Sequence, residues 1–153
     1  MDRGLQYKHI HLYCDEKKNE ATLVPNGWHE KLGVVLIDIV EVIPLPFFKE
    51  ELFQASVRTF NNCFTKEPPA HPAKDDNPLV SKLGNKNWSA ATRGKKLIVI
   101  DWTKDKGYIV YPTKRGHGGF YQHLTDKGVC IGKELEAEAL LNAVQDSLYY
   151  SLR

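Results

Sequence analysis

Residues 96–102 read KLIVIDW and residues 107–112 read GYIVYP, two β-branched and aromatic runs separated by Thr103, Lys104, Asp105 and Lys106. Such runs, bounded by turn residues, are strands, and so short a connection joins them as an antiparallel hairpin. Gly107 supplies the positive φ that the turn requires. Just before the hairpin, residues 87–92 (NWSAAT) read as a short helix, and Gly94 stands where a helix C-terminus favours glycine. After it, Pro112 is expected to end the second strand, and residues 113–120 read TKRGHGGF, three glycines in four positions.

Working outward, residues 7–13 (YKHIHLY) alternate, with Ile10 and Leu12 on one face and His9, His11 and Tyr13 on the other. Residues 21–24 are expected to pair with them as an N-terminal hairpin. The run over residues 32–43 has Leu32, Val35, Leu36, Ile39, Val40 and Ile43 at helical spacing, and a helix is predicted there although its β-branched content favours a strand. Pro44 and Pro46 close it. Residues 49–64 form a second helix, with Phe53, Val57, Phe60 and Phe64 as its apolar stripe. A last helix carries Ala137, Leu140, Leu141, Val144 and Leu148 on one face, with Glu134, Glu136 and Glu138 favouring the positive end of its dipole.

The proline-rich segment at residues 67–78 (EPPAHPAKDDNP) is incompatible with helix or central strand and is expected to cross the surface as a loop. It divides the chain into halves too small for comfortable independent cores, so 153 residues are read as a single domain. The predicted class is α+β, a mainly antiparallel β-sheet packed against helices.

The longest nearly continuous apolar run, residues 33–46, contains Asp38 and Glu41 and falls short of the roughly 20 residues of a membrane span. The first residues lack the apolar core of a secretory signal, which predicts a cytoplasmic location. Cys14, Cys63 and Cys130 are widely spaced and odd in number, arguing for free thiols over a disulfide framework or a zinc site. Net charge is +2 overall, but residues 67–133 hold 12 Lys+Arg against 6 Asp+Glu, while residues 134–153 hold 1 against 4. The middle is basic and the tail acidic.

Three readings are open for the glycine-rich loop. It connects strands, with the next one at residues 120–123; it cradles an anion between backbone N–H groups beside Lys114 and Arg115; or it binds a protein through Arg115 and the neighbouring aromatics Tyr111, Phe120 and Tyr121. The basic segment 82–133, with Trp88, Tyr111 and Phe120 as stacking surfaces, allows a nucleic-acid-binding reading. A histidine-dependent ribonuclease is a further alternative, since His9 and His11 share a strand face and His117 and His123 flank the glycine turn. Hydrogen-bonded structural histidines are the plainer account. No further ligand stands at a diagnostic spacing from the H-x-H pair, so neither metal nor cofactor is expected. Asp101 is expected to face solvent on a strand edge or to pair with a hairpin lysine.

In order along the chain, Trp88-Ser89-Ala90-Ala91, Gly94-Lys95-Lys96-Leu97, Tyr111-Pro112-Thr113-Lys114-Arg115 and Gly118-Gly119-Phe120 resemble the immunity proteins of bacterial contact-dependent growth inhibition systems, in particular a group once catalogued as a domain of unknown function. The terminal segment 135–146 (LEAEALLNAVQD) is similar to the helix that closes those proteins, and the resemblance covers residues 79–148. It implies a small cytoplasmic antidote without enzymatic activity. Its partner would be a cognate toxin domain, commonly a nuclease or tRNase, forming the C-terminal region of a large secreted exoprotein, with nucleic acid met only through that complex. Contact residues in this group vary between cognate pairs, so none is carried over. From their chemistry beside the glycine turn, Lys114, Arg115, His117 and Tyr121 are the candidate toxin-binding residues.

Overall fold

The computed structural model describes residues 6–69, 77–116 and 120–151. Its centre is the expected hairpin: β5 (Lys96–Thr103) and β6 (Gly107–Arg115) pair antiparallel, with Thr103 opposite Gly107 and Ile98 opposite Pro112. Gly107 has φ of +77°, the conformation that admits glycine at low cost. The other edge of β5 pairs antiparallel with β1 (Tyr7–Asp15), which forms the expected N-terminal hairpin with β2 (Glu20–His29). Four shorter strands complete the sheet: β3 (Gly33–Leu36), β4 (Glu41–Pro44), β7 (Tyr121–His123) and β8 (Val129–Gly132). The order is β3-β2-β1-β5-β6-β7, with β4 also on β2 and β8 also on β6. The class is α+β, as expected.

Each long outer strand divides its free edge between two short ones. Residues 20–23 of β2 pair with β4 and residues 26–29 with β3; residues 108–110 of β6 pair with β8 and residues 113–115 with β7. A proline stands at both changes of partner. The carbonyls of Pro25 and Pro112 accept hydrogen bonds from outside the strand, from Ile37 N at 3.1 Å and Leu124 N at 2.9 Å. In an antiparallel strand a residue's nitrogen and carbonyl point to the same edge, so each missing N–H lies in the gap between two partners, where no ladder bond is lost. The expectation that Pro112 ends its strand is therefore corrected. Proline ends pairing with β8, and β6 runs on to pair with β7.

Strand alternation sorts the side chains onto two faces. Ile10, Leu12, Leu23, Ile98, Ile100 and Val110 meet α1 (Lys49–Asn62) and α4 (Ala137–Tyr150) through Leu52, Ala55, Phe60, Leu140 and Val144. Tyr13, Val24, Leu97 and Val99 face the other way, toward Leu36, toward Leu79 and Val80 of α2 (Pro78–Ser81) and toward Ala91 of α3 (Trp88–Thr92). The Asn87 side chain caps α3 by accepting from Ala90 N at 2.8 Å.

Other expectations need correction. The helix predicted over residues 32–43 is instead β3, a connection and β4: the β-branched pairs Val34-Val35 and Val42-Ile43 take extended backbone and complete the edge of β2. The buried line of α1 runs through Leu52, Ala55, Ser56, Thr59 and Phe60, so Phe53 and Val57 lie on its flank. Pro78, assigned to the surface loop, is buried and opens α2, where a missing N–H is harmless; Asn77 caps it by accepting from Leu79 N at 3.0 Å. Residues 70–76 of that proline-rich segment lie outside the described residues. Of the three glutamates placed on the last helix, Glu138 is in its first turn, Glu136 stands at the N-cap position without a side-chain capping bond, and Glu134 precedes it. Cys14 and Cys63 are buried free thiols, and Cys130 is an exposed one.

Candidate binding pocket on the α3 face

His9, His11 and Tyr13 project from β1 toward the face that α2 and α3 cover in part. Register sets Asp101 of β5 directly opposite His9, and their Nδ1 and Oδ1 atoms are 2.6 Å apart. The expectation of a solvent-facing Asp101 on a strand edge or paired with a lysine is corrected, because β5 is an interior strand and its neighbour is a histidine. His9 is further held by its backbone N–H, which donates to Asn26 Oδ1 at 2.8 Å.

His11 Nδ1 is 2.9 Å from the Tyr13 hydroxyl. Burial, with His9 and His123 beside it, holds the His11 imidazole well below its usual range, and burial, reinforced by Tyr121, pushes the Tyr13 phenol well above its own. The pair is thus neutral at pH 7. His123, from β7, stacks at 6.4 Å from the His9 ring and 6.3 Å from Tyr111. It is also shifted down, by burial and by His9, with Asp101 opposing.

Beside this row opens a pocket of about 230 Å³. Its sheet wall is His11, Tyr13, Leu97, Tyr121 and His123, its α3 wall is Trp88, and Leu32, Val35 and Leu36 form the side toward β3, with Phe120 also lining it. Tyr13 meets Trp88 and Tyr121 edge-on, with ring centroids 6.2 and 6.0 Å away. This is the concave, mostly apolar setting in which ligands and anchoring side chains are held. Among the described residues, no group of three or more His, Cys, Asp and Glu side chains is disposed to hold a metal ion.

The loop residues singled out in the sequence are dispersed. Tyr121 and Arg115, paired across β6 and β7, both reach α3: the Arg115 guanidinium donates to Thr92 Oγ1 through Nε at 3.2 Å and Nη2 at 3.1 Å, and to Ser89 O at 3.2 Å. The Tyr121 hydroxyl lies 2.9 Å from Lys95 O, and burial pushes its pKa up to about 12. Lys114 is exposed, and alternation turns it to the opposite face from Arg115. His117 lies outside the described residues. The β6 to β7 pairing matches the strand-connecting reading of the glycine-rich loop.

Because Arg115 ties β6 to both ends of α3, Arg115→Ala is expected to lower unfolding free energy by about 1–2 kcal/mol in urea titrations. Arg115→Lys should recover only part of it, since an ammonium lacks the planar fork that spans Thr92 and Ser89. An unaltered urea midpoint in both variants would show that these bonds add nothing to stability.

No protein-family model matches the chain, and no curated protein matches it in sequence. Solved structures do. A protein of unknown function from Neisseria meningitidis superposes with a TM-score of 0.72 at 11% identity, covering 96% of each chain. A chain of the CdiA-CT/CdiI toxin and immunity complex from Yersinia pseudotuberculosis superposes with a TM-score of 0.69 at 7% identity, covering 95% of this chain and 98% of that one. The chain shares their fold. At such identities the likeness is one of backbone architecture, and it extends from β1 to α4. Among the described residues no helix is long and apolar enough to cross a membrane.

Proposed function

We propose that this chain is an immunity protein of the contact-dependent growth inhibition type, which binds a cognate toxin domain inside the cell and neutralises it by occupancy, without catalysis. The observation that carries the reading is the near-complete superposition on a chain of a toxin and immunity complex, over 95% of this chain. The ordered resemblance of the Pro-Thr-Lys-Arg and Gly-Gly-Phe segments to that class supports it independently. An inhibitor of this kind needs a preformed surface of standard size, with apolar anchors and complementary charge to speed capture. Expression of the toxin domain encoded beside this gene is expected to arrest growth, and co-expression of this chain to restore it. Continued arrest despite folded antidote would refute the reading.

One observation favours a second reading. His9, paired with Asp101 at 2.6 Å and stacked with His123 at 6.4 Å, has the parts of an acid–base pair for RNA cleavage. Metal-free degradation of RNA by the purified chain, abolished in His123→Ala, would establish it. Intact RNA would dismiss it.

A further inference from the structure

The immunity reading leaves open which side of the sheet meets the toxin, and the two sides differ. On one, α1 and α4 lie over the strands and are linked by Lys49 and Glu138 at 3.9 Å. On the other, the short α2 and α3 leave the pocket beside Trp88 open, with Leu32 and Phe120 in its lining exposed to 54% and 73%. Apolar side chains so exposed around a concavity lose unfavourable contact with water when a partner fills it, by about 25 cal/mol per Å² buried.

A guanidinium stands beside this pocket. Arg115 stands next to Tyr121 and donates to the neutral oxygens of Thr92 and Ser89. Among the described residues no carboxylate lies within ion-pair distance of Arg115, Lys86 or Arg93. Residues 77–95, which contain α2 and α3, hold 4 Lys+Arg and no Asp or Glu, and of the four Lys82 pairs with Asp38 at 3.7 Å. An apolar pocket next to a guanidinium that no carboxylate neutralises selects an apolar side chain with acidic neighbours.

We propose that the toxin docks on the α3 side, seating an apolar or aromatic side chain in the pocket beside Phe120, Trp88 and Leu32 and setting acidic groups against Arg115 and the basic α3 wall. The proposal rests on the immunity reading. It assigns the specificity of the pair to this pocket and leaves the α1–α4 surface free.

The test is calorimetric titration of the toxin domain into wild-type chain and four exposed-site variants: Phe120→Ala and Leu32→Ala at the pocket, Phe48→Ala and Tyr149→Ala on the helical side. Phe120→Ala and Leu32→Ala are expected to weaken binding tenfold or more at unchanged melting temperature, the helical-side variants less than twofold, and wild-type affinity to fall as salt is raised. Wild-type affinity in both pocket variants, or loss confined to Phe48→Ala and Tyr149→Ala, would overturn this proposal and leave the immunity reading standing. No binding by the wild-type chain would overturn both.

Discussion

Gly107→Ala is expected to destabilise the fold by at least about 3 kcal/mol, whereas Gly94→Ala, at nearly the same backbone angle, should cost only about 1 kcal/mol. The two glycines have φ of +77° and +72°, so the strain of placing an L side chain there is common to both. They differ in their surroundings. A Cβ on Gly107 would lie 2.2 Å from Gly132 O and 2.8 Å from Lys133 Cα, backbone atoms at the end of β8, while one on Gly94 meets nothing within 4 Å. Relief at position 107 requires β8 to move away from β6, where Tyr108 pairs with Gly132 beside a bulge. Urea unfolding of both variants separates strain from collision: a large gap between their midpoints is expected, and equal losses would show that the β6–β8 approach is not close-packed in solution.

Stability is also expected to fall as pH drops below about 6.5, with His11 as the principal cause. In the fold its imidazole binds a proton more weakly than in the unfolded chain, because burial opposes the cation and His9 and His123 stand beside it. The direction follows from proton counting. Between the depressed folded pKa and the ordinary unfolded one, the unfolded chain holds the extra proton, so acidification draws the equilibrium toward unfolding. The slope approaches about 1.4 kcal/mol per pH unit for one proton. His123 acts in the same direction but is exposed, so solvent screening leaves it a smaller share. His11 and His123 share this face with His9 and Tyr13 of β1, Asp101 of β5, Tyr111 of β6 and Tyr121 of β7. His11→Gln retains a polar partner for Tyr13 without a group that titrates in this range. Its stability is expected to be flatter from pH 7.5 to 5 than that of the wild-type chain, and an equally steep curve would assign the loss to another group.

The features legible in the sequence were those written in neighbouring residues. The central hairpin, the N-terminal hairpin, α1, α3 and α4 each carry their signal within a dozen or so positions, as alternation, an apolar stripe or a cap. The run over residues 32–43 failed because helical spacing of Leu32, Val35, Leu36 and Ile39 coincides with a short apolar strand, and only the edge offered by β2 decides between them. Pro112 was read as local punctuation, yet it is tolerated inside its strand, as Pro25 is inside β2, because the strand changes partner there.

The same division holds for the candidate site. That His9, His11 and Tyr13 share a face follows from alternation alone, and Trp88, Phe120 and Tyr121 stood out by composition. Their convergence depends on the order β1-β5-β6-β7, a non-local property that also sets Asp101 against His9. Arg115 stood out as a candidate anchor beside the glycines; that its guanidinium also braces α3 is announced by no spacing in the sequence.

The proposed function is stoichiometric binding of a toxin. Its most direct test is titration of the purified chain with the toxin domain encoded next to its gene, followed by size-exclusion chromatography of the mixture. A single 1:1 complex with a dissociation constant below about 1 μM is the expected result. Separate elution of the two proteins, with no heat of binding at any concentration tested, would contradict it and direct attention to salt-dependent RNA binding through the basic segment.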